Sequence, residues 1–136
     1  MSHSRVRALF NTALLAYATP KQYRVATDNV TFVPKTNETY LAAHLIPADT
    51  TTNTLGGDHK KFIGIYQIKV VTGTGVSTSV SDNITQDLQT VFQVDKLFTK
   101  DGFTVQVVSP IHSPEGRAQE GSWVVPCYFE YRSDTN

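Results

Sequence analysis

The stretch Phe62-Ile63-Gly64-Ile65-Tyr66-Gln67-Ile68-Lys69-Val70-Val71 is the part of the chain that most strongly predicts a β-strand. It is rich in β-branched and aromatic side chains, which favour the pleated surface of a sheet. Successive side chains of a strand point to opposite faces. Tyr66 and Ile68 therefore lie on one face and Ile63 and Ile65 on the other, so that both faces of this strand are partly apolar.

Two segments on either side of this strand have the apolar spacing of amphipathic helices. The first runs from about residue 3 to 18 and ends before Pro20, with an apolar stripe of Val6, Leu9, Phe10, Ala13, Leu14 and Tyr17. The second follows Gly73 and Gly75, and its stripe consists of Val76, Val80, Ile84, Leu88, Val91 and Phe92. Ser77 or Thr78 can cap the second helix at its N-terminus.

The remaining regular segments read as short strands. Residues 30–33 and 40–46 are predicted to pair as a hairpin, with a turn at 34–37. Residues 97–99 and 103–109 form a second predicted hairpin, because Asp101-Gly102 suits the two positive-φ positions of a type I′ turn. Residues 123–131 alternate as a final strand with one apolar face, in which Pro126 predicts either a sheet edge or a bulge, since proline cannot donate to a ladder.

This order of elements predicts an α+β fold, with two helices packed on one face of a mostly antiparallel sheet of five to six strands, in a single domain over residues 1–136. The predicted core joins Phe10, Leu14, Ile84 and Leu88 of the helices to Tyr66, Ile68, Val105, Val125 and Phe129 of the sheet. Two helices cover only one face of such a sheet. The other face must therefore either be polar or meet a partner. Ile63 and Ile65 on this face are candidates for a subunit contact, unless a further helical or loop segment of the same chain covers them.

Composition narrows the classes of function. The chain has 136 residues with 12 basic and 12 acidic side chains, so its formal charge is zero and it lacks the basic surface typical of nucleic-acid binding. No segment approaches the roughly 20 apolar residues of a membrane span. A single cysteine, Cys127, precludes an internal disulfide. A near-neutral surface does little to oppose self-association, which favours an assembling protein.

No group of residues predicts catalysis, a cofactor or a metal. Gly73-Thr74-Gly75 lies between a strand and a helix but lacks the third glycine of a dinucleotide fingerprint, and Asp95 begins a hairpin instead of ending a parallel strand. The four histidines are far apart in sequence. Cys127 lies on the apolar face of the last strand, where it is expected to be a small buried hydrophobe. We therefore expect no catalytic, cofactor-binding or metal-binding residue, and we expect that the protein is not an enzyme.

The polar stretch 48–60 contains one large apolar side chain and is predicted to be a long mobile loop that orders on assembly. Loops of this length inside compact domains are often functional. Together with the second face of the central strand, it gives a predicted subunit or tube interface consisting of Asp49, Thr54, Leu55, Asp58, His59, Ile63 and Ile65.

Several segments, taken in order, resemble the phage tail terminator-like family. They are the opening helix RVRALFNTALLAY, the segment Asp28-Asn29-Val30-Thr31-Phe32-Val33-Pro34, a strand beginning at Tyr40-Leu41, a polar loop closing in Gly56-Gly57, the strand GIYQIKVV followed by GTG, and the terminal strand SWVVPCYFEYR. The resemblance covers nearly the whole chain.

The resemblance implies a virion tail protein that assembles in the cytoplasm of the bacterial host. Members of this family form rings, commonly hexamers, that cap the tail tube and then present a surface to the head-side connector. The expected partners are therefore further copies of the chain, the tail tube protein and the connector, with no membrane and no sequence-specific nucleic acid. The alternatives are another virion structural protein, such as a head-tail connector or tube subunit, and, more distantly, an enzyme that binds a small molecule.

Overall fold

The computed structural model describes residues 2–28, 31–35, 38–48, 51–52, 60–73, 75, 78–119 and 121–135. Within them are two helices, α1 (Ser2–Ala18) and α2 (Thr78–Val91). The strands are β1 (Arg24–Ala26), β2 (Tyr40–Pro47), β3 (Thr51–Thr52), β4 (Lys60–Gly73), β5 (Leu97–Lys100), β6 (Phe103–Val107), β7 (Arg117–Gln119) and β8 (Ser122–Thr135). The predicted α+β class and both predicted helices are confirmed.

The described strands form one sheet in the order β1-β2-β4-β8-β6-β5, with β3 paired to β4 and β7 paired to β8. β1 runs parallel to β2, whereas β2 pairs antiparallel with β4, β4 with β8, and β8 with β6. The prediction of a mostly antiparallel sheet with five to six strands is therefore corrected to a mixed sheet with eight. The number of strands is higher because of β1, β3 and β7, which have only two or three residues each, too few to show a pattern in the sequence.

The two long strands β4 and β8 are the centre of the sheet. They pair over 14 residues in an unbroken register that places Tyr66 opposite Phe129 and Ile68 opposite Cys127. Because side chains alternate between the two faces, these four residues all lie on the face that the helices cover, which we call the inner face.

The core fills the space between the helices and the inner face. Phe10 of α1 contacts the rings of Phe92, Phe129 and Tyr131 with centroid distances of 5.8, 5.2 and 5.8 Å. The predicted core is confirmed: its members are all buried and belong to one cluster, namely Phe10, Leu14, Tyr66, Ile68, Ile84, Leu88, Val105, Val125 and Phe129.

Buried and partly buried polar groups join the two helices to each other and to the sheet. The Tyr66 hydroxyl, which is buried, donates a 2.6 Å hydrogen bond to Asn11 of α1. The Tyr17 hydroxyl of α1 donates to Asp87 of α2 over 2.8 Å. Each bond satisfies a phenol that would otherwise be costly to bury.

Two local expectations about β-structure have opposite outcomes. Asp101 and Gly102 have φ values of 52° and 78°, which confirms the turn with two positive-φ positions between β5 and β6. The predicted hairpin of residues 30–33 with 40–46 is wrong, because the described residues 31–33 form no strand and β2 pairs instead with β1 and β4.

Pro126 does not mark an edge, since β8 lies between β4 on one side and β6 and β7 on the other. Nor is there a bulge opposite it, because Pro126 pairs with Lys69 in the unbroken register. Tyr128 exchanges both backbone hydrogen bonds with His112, and β7 pairs beyond it with residues 122–124. The nitrogen of Pro126 therefore faces the gap between these two pairings, where the ladder is interrupted and no donor is needed.

Candidate assembly surface

The face of the sheet opposite the helices, which we call the outer face, carries the side chains that alternate with the buried ones. On its three central strands these are Tyr40, Ala42, His44 and Ile46 of β2, Ile63, Ile65, Gln67, Lys69 and Val71 of β4, and Val124, Pro126, Tyr128, Glu130 and Arg132 of β8. Neither helix covers this face. Most of these side chains are half-buried or exposed, unlike their neighbours on the inner face.

One end of the outer face is a shallow cavity of about 420 Å³. Its lining comes from β4, β8 and the residues that follow β2 and β6: Ala48, Ile63, Gly64, Ile65, Val108, Glu130, Tyr131 and Arg132. Two isoleucines and a valine thus lie beside an acidic and a basic side chain. An apolar surface with polar groups at its margin is typical of a protein contact.

A row of four residues runs across the strands at this end, and we call it the cross-strand row. Ile46 of β2 lies opposite Ile65 of β4, which lies opposite Glu130 of β8. Val108 completes the row, because its backbone N–H donates to the Glu130 carbonyl over 2.9 Å. Ile46 is 48% exposed and Val108 40%, so the two ends of the row lie open to solvent.

The opposite end of the outer face is closed by the chain itself. Phe32 packs on Tyr40 with ring centroids 4.9 Å apart, and the Arg24 guanidinium lies 4.5 Å from the Phe32 ring. Arg24 also donates to both carboxylate oxygens of Glu38 over 2.6 Å, and this pairing lowers the pKa of Glu38 to about 2. Val71 is buried at this end, whereas Ile46 and Val108 at the end with the cavity are exposed.

Gly64 lets β4 approach its neighbours closely behind the cavity. A Cβ atom at this position would lie 2.5 Å from the Tyr131 hydroxyl and 2.6 Å from the Ile46 carbonyl oxygen. Burial raises the pKa of Tyr131 to about 12, and its hydroxyl remains protonated and bonds Nδ1 of His3 over 2.9 Å. Burial, followed by the charge of nearby Arg7, lowers the pKa of His3, which favours the neutral ring in this contact.

An acidic group caps the margin of β2 beside the outer face. Asp28 accepts hydrogen bonds from the Leu45 backbone N–H over 2.9 Å and from His44 over 2.8 Å. Its partial burial acts to raise its pKa, but these two bonds and the nearby charge of Arg7 outweigh burial and lower it. The carboxylate therefore satisfies a backbone donor at the edge of β2, and its lowered pKa favours the ionised form.

The sequence assigned Ile63 and Ile65 correctly to the face opposite Tyr66 and Ile68, and the structure brings both into the cavity. The other predicted interface residues, Asp49, Thr54, Leu55, Asp58 and His59, lie outside the described residues. The same is true of most of the predicted mobile loop, although Thr51–Thr52 pairs with residues 60–61 as β3. Sequence reasoning missed Ile46, Val108 and Glu130, of which Ile46 could have been found from the alternation in residues 40–46.

The side chains that could by residue type act in catalysis or bind a metal lie in surroundings typical of structural residues. Cys127 is buried, with Thr85 Oγ1 at 3.7 Å and Ser113 Oγ at 3.8 Å, and burial raises the pKa of its thiol. A raised pKa disfavours the reactive thiolate. Across the described residues, no group of three or more His, Cys, Asp or Glu side chains could hold a metal ion, and no described helix is long and apolar enough to cross a membrane.

Fold and surface together define a small α+β domain whose sheet is covered by helices on one face and partly open and apolar on the other. Residues 5–131 match the family described as phage tail terminator protein. The chain belongs to this family, and its role is that of a structural component of the phage tail.

A solved structure supports the same fold. It shares 27% sequence identity with this chain, with a TM-score of 0.83, and the match covers 98% of this chain and 96% of that chain. The name of that structure states no function. No curated protein matches the chain.

Proposed function

We propose that the chain forms a ring that caps the phage tail tube, ends the addition of tube subunits and presents a surface for joining the head. The observation that carries this proposal is the match to the tail terminator family over residues 5–131. The action needs no catalytic or cofactor-binding residue, because capping depends on the shape and contacts of a surface. Its partners are further copies of the chain, the tail tube protein and the head-side connector, assembled in the host cytoplasm.

The open end of the outer face supports this proposal. Ile63 and Ile65 line its cavity, and Ile46 and Val108 extend the apolar surface on both sides. Fully burying an exposed aliphatic side chain contributes about 1.5–3 kcal/mol. Ile63 and Ile65 are already half-buried, so each offers a part of this amount to a contact.

Electron microscopy of phage assembled without this chain separates the proposal from its alternatives. Loss of a terminator leaves abnormally long tails, because nothing stops tube growth. Loss of a tube subunit leaves no tails, and loss of a connector leaves tails of normal length that are not attached to heads. Tails of normal length in the absence of the chain would refute the capping function.

Complementation with variants then tests the surface. Ile65→Lys, which places a charge in the cavity, is expected to leave the chain folded and the tails overlong. Gln86→Lys, at an exposed position of α2, is the matched control and is expected to restore normal tails. If Ile65→Lys folds and still restores normal tails, the cavity is not part of the interface; if it does not fold, Ile65 belongs to the core.

A further inference from the structure

The solvent face of α1 differs from that of an ordinary surface helix. From Ala8 to Pro20 the sequence contains no charged side chain, and Leu15 is 45% exposed. Surface helices usually carry charged or polar residues on the face away from the core. α2 does so, with Asp82, Asn83, Gln86 and Gln89 exposed. The contrast within one chain indicates that the exposed side of α1 suits a contact better than solvent.

The exposed side of α1 and the outer-face cavity cannot meet within one copy, because α1 packs on the inner face. They can meet only between copies, and a head-to-tail arrangement repeats the same contact from one copy to the next. A heterologous contact of this kind uses two different surfaces of each subunit and closes into a ring when the rotation between subunits allows it.

The free edges of the sheet are poorer candidates for the contact between copies. β1 has three residues and β5 has four. Lys96 and Lys100 flank the exposed positions of β5. Short edge strands and lysines at an edge oppose pairing with another strand. Among the described residues, the faces of the domain are therefore better candidates for association than β1 and β5.

The dimensions and charges of the two surfaces agree. The cross-strand row of Val108, Glu130, Ile65 and Ile46 spans three strand spacings, roughly 14 Å at about 4.8 Å each. Arg5 and Leu15 are ten residues apart on the exposed side of α1, which is about 15 Å along a helix. Arg5 is exposed and basic, whereas Glu130 is exposed and acidic.

We propose that the exposed side of α1 in one copy docks across the cross-strand row of the next copy, with Arg5 at the Val108 end, within reach of the neighbouring Glu130, and Leu15 at the Ile46 end. The uncharged positions Ala8 and Thr12 then lie over Glu130 and Ile65. This contact deepens the proposed function, since it rests on the ring and names the two surfaces that join its subunits.

Mixing two full-length variants tests this arrangement. Leu15→Lys damages only the helix surface and Ile65→Lys only the cavity, so each alone should self-associate at least about tenfold more weakly than the unchanged chain. One intact helix surface and one intact cavity remain in the mixture. Sedimentation velocity should therefore show a one-to-one heterodimer that does not grow further. Gln86→Lys on α2 is the control and should associate as the unchanged chain does.

A charge exchange tests the orientation. Arg5→Glu and Glu130→Arg should each weaken association, whereas the double variant should recover most of it, a result that a general loss of folding would not give. Three results would each overturn the proposal. They are self-association of Leu15→Lys at the unchanged strength, a mixture that stays monomeric, and an unchanged chain that is monomeric up to about 1 mM, the weak end of measurable affinity. Overlong tails without the chain, together with a failed mixing experiment, would retain the capping function and reject this contact.

Discussion

Phe129→Ala should be among the most damaging single substitutions in this chain. Phe129 is fully buried at the centre of the inner face, where its ring stacks on Phe92 at 5.1 Å and meets Phe10 edge-on at 5.2 Å. Truncating a buried phenylalanine to alanine costs about 3–5 kcal/mol, because the transfer free energy of the ring is lost and a cavity remains. That loss is a large part of the roughly 5–15 kcal/mol by which most domains are stable.

Urea unfolding measures this loss through the fluorescence of Trp123, the only tryptophan, which packs against the core. With a urea slope of about 2 kcal/mol per molar, the midpoint should fall by roughly 2 M. Val33 is 73% exposed, and Val33→Ala is the control that should change the free energy of unfolding by less than about 0.5 kcal/mol. Agreement between two protein concentrations would show that self-association does not contribute.

A loss smaller than about 1 kcal/mol for Phe129→Ala would refute the reasoning. It would mean that the aromatic rings of the inner face do not form the tightly packed cluster on which the positions of both helices depend.

Three further predictions concern the support of the outer face. Gly64→Ala should lower the free energy of unfolding by about 1–3 kcal/mol, because the added Cβ would lie 2.6 Å from the Ile46 carbonyl oxygen; urea unfolding measures this. Arg24→Ala should speed amide exchange at Lys35, since it removes the ion pair that holds Glu38, whose carboxylate accepts the Lys35 N–H. Stability should fall between pH 7 and 5, since the lowered pKa of His3 makes the unfolded chain bind more protons in this range.

For each of these predictions, one result would contradict the stated cause. His3→Gln should flatten the fall in stability between pH 7 and 5, and an unchanged fall would assign the effect to another group. Unaltered amide exchange at Lys35 in Arg24→Ala would show that the ion pair does not order this segment. Gly64→Ala with unchanged stability would mean that the chain moves away from Ile46 at little cost.

Much of the inner face could be predicted from the sequence because its signals are local. Phe10 and Leu14 recur at helical spacing, Tyr66 and Ile68 alternate along a strand, and Asp101-Gly102 specifies its turn through φ. Each pattern depends on residues within a few positions of each other. The confirmed core follows from these local periods, since an apolar stripe and an apolar strand face have few other partners in so short a chain.

The errors concern pairings between residues that are far apart in the sequence. β1 has only three residues, and its parallel pairing with β2 has no local pattern that could predict it. From the sequence alone, Pro126 predicts an edge or a bulge, because the sequence does not show that β6, His112 and β7 pair with β8 on either side of it. For the same reason, the sequence predicts only some of the residues that line the cavity. Ile63 and Ile65 follow from alternation, but Val108 joins them through a backbone bond to Glu130.

A single copy of this domain has two layers, with the helices on one side of the sheet. The other face of the sheet is therefore only partly buried. In the proposed ring, α1 of the neighbouring copy supplies the missing third layer over Ile65 and Ile46. The hydrophobic free energy of that face would then be gained on association and not on folding, so that the fold of one copy does not depend on the ring.

Substitutions at the cavity and in the core should therefore differ in their effects on association and on stability. Ile65→Lys should weaken association at least about tenfold while leaving the free energy of unfolding of the monomer within about 1 kcal/mol, whereas Phe129→Ala should lower that free energy severalfold more. Equal losses of stability for the two variants would show that the outer face belongs to the core of the monomer and is not held open for a neighbour.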